Sequence, residues 1–100
     1  MSPSPTLAER FGRNLWHGRR RADLSQGDLG ALVGLGRDGI GRLERGERLP
    51  RLDTILKLAA GTNVSACALL EGMEWRPGRY VDGDFSVEHP AASLRRGVRR

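Results

Sequence analysis

Two helices can cross at a tight turn only under three conditions. The leading helix needs a very small residue at the crossing point, the turn needs a residue that tolerates positive φ, and apolar side chains must line the facing sides of both helices. Residues 29–43 meet all three demands in one register: Leu29, Gly30 at the crossing, Val33, Gly34 at the turn, then Leu35, Ile40 and Leu43. A seven-position pattern of this kind constrains the chain far more than any single glycine does.

Caps and apolar periodicity extend the helical reading in both directions. Thr6 and Glu9 have capping-box spacing, and Leu7, Phe11 and Leu15 recur every four residues, which predicts a first helix to about Arg21. Gly12 and Gly18 weaken that helix by up to ~1 kcal/mol each relative to Ala. Ser25, with Asp28 three residues on, caps a second helix that carries Leu29, Leu32 and Val33 and stops at Gly34. A third element spans about Arg37 to Arg45 with Ile40 and Leu43 inward, and Gly46 serves as its C′ residue. Pro50 marks the next start. Leu52, Ile55, Leu56 and Ala59 form the expected inner face of a fourth helix, flanked by Leu58. Asn63 suits a left-handed cap, and Ser65 caps a short fifth helix through Leu70 to Glu71. The expectation is an all-α, five-helix domain over 6–72, preceded by a disordered leader, 1–5.

Composition shifts after Gly72. Trp75, Tyr80 and Phe85 supply three of the five aromatics within eleven residues, too many to stay solvated, so the extension 73–89 is expected to pack on the domain or on a second subunit. Asp82-Gly83 between Arg79-Tyr80-Val81 and Asp84-Phe85-Ser86-Val87 predicts a β-hairpin with a two-residue turn. Residues 90–100 read as a basic, disordered tail.

Several function classes are excluded or disfavoured. His17 and His89 are far apart in sequence, and Cys67 is the one cysteine, so neither a metal site, a disulfide nor a nucleophile motif is expected. Cys67 reads as a small buried hydrophobe. Gly34-Leu35-Gly36-Arg37-Asp38-Gly39 formally fits the dinucleotide fingerprint but follows no strand. No enzyme and no cofactor is expected. No apolar run approaches the roughly 18 residues of a membrane span, and a cytoplasmic location is the default expectation. The net charge is +5, and every basic residue except Lys57 is arginine, a planar fork of donors suited to guanine edges and phosphates. A basic balance permits a polyanionic partner without establishing one, and codon bias explains an arginine excess equally well.

Leu24-Ser25-Gln26, Leu29-Gly30, Val33-Gly34-Leu35, Gly36-Arg37-Asp38-Gly39-Ile40, Leu43-Glu44-Arg45-Gly46 and Pro50 together resemble the Cro/C1-type (XRE) helix-turn-helix family. The similarity covers about Phe11 to Leu70. It implies a lambda-repressor-like domain that binds double-stranded DNA, at a palindromic operator and as a homodimer, with the third helix in the major groove. Position by position, the resemblance implies that Arg37 and Asp38 reach base edges, as a bidentate arginine to guanine and an acceptor to cytosine N4. Arg42 borders the same face and is a candidate for a base or an adjacent phosphate. Gln26 is implied to touch a phosphate and brace the recognition helix, and Arg45, Arg48 and Arg51 are phosphate candidates. Arg19 and Glu44 match a structural ion pair.

The chain departs from the family pattern at five positions. Gly36 stands where Ser or Thr usually caps the recognition helix, Gly39 and Gly41 lie inside that helix, and Gly18 and Thr62 occupy positions where leucine is usual. The function implied is transcriptional regulation, most simply repression. The alternative is an antitoxin-like interaction module in which 73–87 binds a partner protein. Residues 73–88 carry Arg76 and Arg79 against Glu74, Asp82, Asp84 and Glu88, so that segment is no obvious DNA binder.

Overall fold

The computed structural model describes residues 4–78 and 83–88; the basic tail 90–100 and the first three leader residues lie outside them. Five helices run in chain order: α1 (Leu7–Arg21), α2 (Gln26–Val33), α3 (Gly36–Glu44), α4 (Leu52–Thr62) and α5 (Ala66–Leu69). Two strands follow, β1 (Met73–Arg76) and β2 (Asp84–Val87). The helix starts are set locally. The Thr6 hydroxyl accepts from the Glu9 amide at 3.1 Å while the Glu9 carboxylate accepts from the Thr6 amide at 3.0 Å. Ser25 and Asp28 repeat that box at the head of α2, at 2.9 and 3.2 Å. Left-handed residues end two helices, Gly34 (φ 76°) after α2 and Asn63 (φ 59°) after α4.

The core takes Phe11 and Leu15 from α1, Leu29 and Val33 from α2, Ile40 and Leu43 from α3, Leu58 and Ala59 from α4, and Leu69 from α5. On α4 the inner face is rotated from the expected one. Leu58 is fully buried, Ile55 only partly, and Leu52 and Leu56 are 73% and 56% exposed. The helix carries two overlapping apolar stripes, and periodicity alone does not say which of them meets the domain. Leu32 is also on the outside, at 65%, and Leu35 is partly exposed. Cys67 is exposed rather than buried: in the single turn of α5 the inward place goes to Leu69. Buried Thr62 satisfies its hydroxyl by donating to the Leu58 carbonyl at 2.7 Å. Gly18 faces it, since a Cβ at 18 would lie 3.7 Å from the Thr62 Cβ, so two departures from the family pattern are neighbours.

The hairpin exists, but its first strand is 73–76 and not 79–81. Antiparallel pairing sets Met73 opposite Val87, Trp75 opposite Phe85 and Arg76 opposite Asp84. A two-residue Asp-Gly turn would have put Val81 opposite Asp84, the place Arg76 takes; residues 79–82 of the expected strand and turn lie outside the described residues. Side-chain pairing accounts for this register. Trp75 and Phe85 meet edge to face with centroids 5.0 Å apart, and Gly83 lies so close to the indole that a Cβ there would collide with it. Pro77, with no N–H to give, follows β1 directly.

Arg10 ties the hairpin to the helices. Only 2% exposed, it donates from Nε to the Glu71 carbonyl at 3.1 Å and from Nη1 to the Glu88 carbonyl at 2.9 Å, so one guanidinium spans both roots of the hairpin. The Glu88 amide closes the gap by donating to the Gly72 carbonyl at 2.7 Å. Gly72 has φ 88°, and a Cβ there would press on the guanidinium at 2.8 Å. Burial pulls the Arg10 pKa down, against the opposing charges of Glu88 and Glu71. Asn14 adds a second tie, donating to the carbonyls of Leu69 and Glu71 at 2.9 and 3.0 Å.

Candidate nucleic-acid interface

The third helix is held by two glycine contacts. A Cβ on Gly30 would collide with the Gly36 carbonyl and come within 2.9 Å of the Arg37 nitrogen, so α2 and the start of α3 touch backbone to backbone. On the other side, a Cβ on Gly12 would overlap the Leu43 carbonyl oxygen and sit 2.8 Å from the Glu44 carbonyl carbon. Sequence reasoning treated Gly12 as a weakness in α1. In the fold it is the place where α1 crosses the end of α3, and its position beside Phe11 on the buried face was the available signal.

The start of α3 differs from the usual capped one. Leu35 is the N-cap and makes no side-chain cap hydrogen bond, and Gly36 has φ 72°. A serine or threonine would be strained in that conformation, which is the physical reason for glycine at this position. From there Ile40, Gly41 and Leu43 turn inward while Arg37, Asp38 and Arg42 stand on the exposed side. The helix therefore offers two arginines and a carboxylate to solvent, on a backbone fixed from behind. Arg37 also borders an open concavity of about 810 Å³ that it shares with Arg19, Arg20, Gln26 and Asp28.

Behind the helix is one polar hub. Glu44 accepts from Arg19 Nε at 2.6 Å and from Arg19 Nη2 at 3.1 Å, a bidentate pair whose side chains are 9% and 5% exposed. Arg19 Nη1 donates further to the Leu24 carbonyl at 2.9 Å. Gln26 Nε2 joins the same carboxylate at 2.9 Å. One acid thus connects α1, the loop before α2, the head of α2 and α3. Gln26 Oε1 would lie 3.7 Å from a Cβ at residue 41, so the glutamine is laid across α3 where Gly41 leaves room.

The other candidate cations follow this helix in the chain, Arg45 at its C-cap, Arg48 in the loop and Arg51 at the N-cap of α4. Arg45 is paired with Glu47 at 2.6 Å, both side chains exposed, and that hydrogen bond raises the arginine pKa and lowers the glutamate's. Arg51 lies 3.4 Å from Asp53, also in solvent. Arg48 is exposed in the loop between α3 and α4. Sequence reasoning missed Trp16, whose ring has the Arg13 and Arg20 guanidinium carbons 5.3 and 5.2 Å from its centroid and the His17 imidazole edge-on at 5.0 Å. Arg13, Trp16 and Arg20 recur at helical spacing on α1, a signal present in the sequence but not used. No group of metal-binding side chains occurs among the described residues, and no helix there is long and apolar enough to cross a membrane.

Comparison with known proteins agrees with this geometry. The HTH_3 helix-turn-helix family model matches residues 18–69. No curated protein sequence matches this chain. Among solved structures, the restriction-modification controller protein C.AhdI from Aeromonas hydrophila is 39% identical with a TM-score of 0.60, over 62% of this chain and 90% of that one. The P22 c2 repressor, in complex with a synthetic operator, is 29% identical with a TM-score of 0.58, over 62% of this chain and 94% of that one. A hypothetical transcription factor from Neisseria is 29% identical with a TM-score of 0.62, covering 70% and 84% of the two chains.

Proposed function

The chain belongs to the HTH_3 helix-turn-helix family and is at that level a DNA-binding transcriptional regulator; we propose that it reads a specific, palindromic operator as a homodimer and acts as a repressor. The observation that carries this reading is the two-sided construction of α3. Ile40, Gly41 and Leu43 are buried against α1 and α2, and Arg37, Asp38 and Arg42 face out from the first two turns. Entering the major groove N-terminus first, such a helix presents Arg37 for a bidentate pair with guanine and Asp38 as an acceptor for cytosine N4, with Arg42 on an adjacent base or phosphate.

The supporting contacts are to phosphates. Arg48 is the direct candidate. Arg45 and Arg51 each have Nε beside a carboxylate, so their Nη donors still serve a phosphate but the neighbouring negative charge makes each add less than an arginine with no acid beside it. Gln26 has its amide nitrogen on Glu44, which supports a bracing role and leaves its second N–H for a phosphate.

Selection of bound sequences from random duplexes tests the reading, with a two-fold symmetric consensus expected. Arg37→Ala should then lower affinity by about 1–3 kcal/mol for a lost bidentate contact and relax preference at one position of each half-site. Arg48→Ala should weaken all sequences alike and flatten the salt dependence by about 0.9 in log–log slope per phosphate. If Arg37→Ala left both affinity and preference intact, α3 would not be the reading element.

A further inference from the structure

We propose that Arg13, Trp16 and Arg20, on the outer face of α1, form a second contact with DNA: a grip on the phosphate backbone that flanks the bases met by α3. The proposal rests on the reading of α3 as the helix in the major groove, and it extends the footprint beyond that helix.

Trp16 stands apart from the apolar core. It belongs neither to the buried cluster nor to the partly buried hydrophobics packed against it. Its ring instead meets the Arg13 and Arg20 guanidinium carbons, 5.3 and 5.2 Å from the centroid, and the edge of His17. A long arginine side chain normally samples many rotamers. Stacking on an indole restricts that freedom and leaves the N–H edges of the guanidinium open, so both cations reach an anion already partly ordered. Both arginines are exposed, and among the described residues neither forms an ion pair. Two acids near them in the chain are committed to helix caps, Glu9 to the Thr6 amide and Asp28 to the Ser25 amide. Asp23 borders the concavity beside Arg20 without pairing to it. This sets Arg13 and Arg20 apart from Arg45 and Arg51, which each have a carboxylate alongside.

Position selects the ligand. Residue 16 is four after Gly12 and three before Arg19, the two places where α1 touches the end of α3, so the stripe runs alongside the reading helix. Arg20 opens onto the same concavity as Gln26 and Arg37. The major groove is only about 12 Å wide, so the strands that border it run close to any helix lying in it. Arg13 and Arg20 are seven residues apart, about 10 Å of helix, against 3.4 Å of axial rise per phosphate on one strand. The pair therefore spans a few consecutive phosphates. An acidic protein segment would satisfy the same two cations, but continuity with the outer face of α3 favours DNA.

The test compares the full chain and Arg13→Ala/Arg20→Ala on two duplexes, one holding only the selected consensus and one with about 10 further base pairs, one helical turn, on each side. The parent should bind the longer duplex more tightly. On it the double variant should bind at least about tenfold more weakly. It should also lose the gain from the flanks and lower the log–log salt slope by about 0.9 for each phosphate released, with base preference unchanged. Both sites are exposed, so its melting should match the parent's. Trp75→Phe leaves Trp16 as the one tryptophan, and DNA should protect its fluorescence from acrylamide. A parent-like salt slope in the double variant would overturn the proposal. So would a Trp16 equally open to acrylamide with and without DNA, whatever acidic protein binds there instead. Failure of the α3 reading is separate: Arg37→Ala would then be silent while the double variant still lost slope.

Discussion

Replacing Glu44 by Ala removes the acceptor for three hydrogen bonds and leaves the Arg19 guanidinium buried with only the Leu24 carbonyl as partner. With side-chain exposures of 9% and 5%, the pair is far from the solvent-screened regime. Breaking a buried pair from one side costs about 3–5 kcal/mol, mainly through the charge left without compensation. Domains of this size have about 5–15 kcal/mol of stability in all, so Glu44→Ala is expected to take a large share of it. In urea, a loss near 4 kcal/mol lowers the midpoint by roughly 1–4 M for the usual range of slopes. The assay is urea denaturation followed by circular dichroism, with Arg45→Ala as the control. That substitution breaks an ion pair at the surface and should leave the midpoint unmoved. The double variant Arg19→Met, Glu44→Leu should recover much of the loss, because it removes both charges together. The reasoning is refuted if Glu44→Ala behaves like the control, or if the double variant equals the sum of its two singles.

Glycine substitutions should separate by what surrounds each position. Gly27→Ala, with only the Ser25 hydroxyl at 3.8 Å from the new methyl, should stabilise the domain by about 0.4–1 kcal/mol in thermal melts. Gly12→Ala and Gly30→Ala place the same methyl against backbone and should destabilise, with Gly30→Ala also weakening DNA binding through a displaced Arg37. His17 sets a pH dependence. Burial first, then Arg13, Arg21 and Arg10, hold its pKa below the ordinary value. The unfolded chain therefore takes up a proton that the folded chain resists, so this contribution is fully present above about pH 6.5 and is lost as the pH falls toward the depressed folded value. His17→Asn should flatten the melting temperature against pH in that window, and an unchanged slope would assign it to another group.

Local chemistry was legible in the sequence wherever the responsible groups are a few residues apart. The two capping boxes, the Gly34 and Asn63 left-handed ends and the Leu29-to-Leu43 crossing pattern all act within one or two turns, and all appear in the fold. Among the candidate site residues, Arg37, Asp38 and Arg42 share the outer face of α3, while Gln26, Arg19 and Glu44 meet behind it. The pairing of Arg45 and Arg51 with acids two residues on depends on side-chain rotamers, which spacing does not specify.

What the amino-acid order alone determined was the number and type of the helices and their limits to within one or two residues, α3 running Gly36–Glu44 instead of 37–45 and α5 ending at Leu69 instead of Glu71, because helix propensity, caps and φ-tolerant glycines are properties of short segments. What tertiary structure decided was direction: which of two apolar stripes of α4 is buried, that Gly12 is a crossing point, and that 73–76 rather than 79–81 pairs with β2. Each of these depends on a surface supplied by residues distant in the chain. The Arg10 guanidinium shows the reason most directly, since its two backbone acceptors lie 61 and 78 residues away and become neighbours only once the helices have packed.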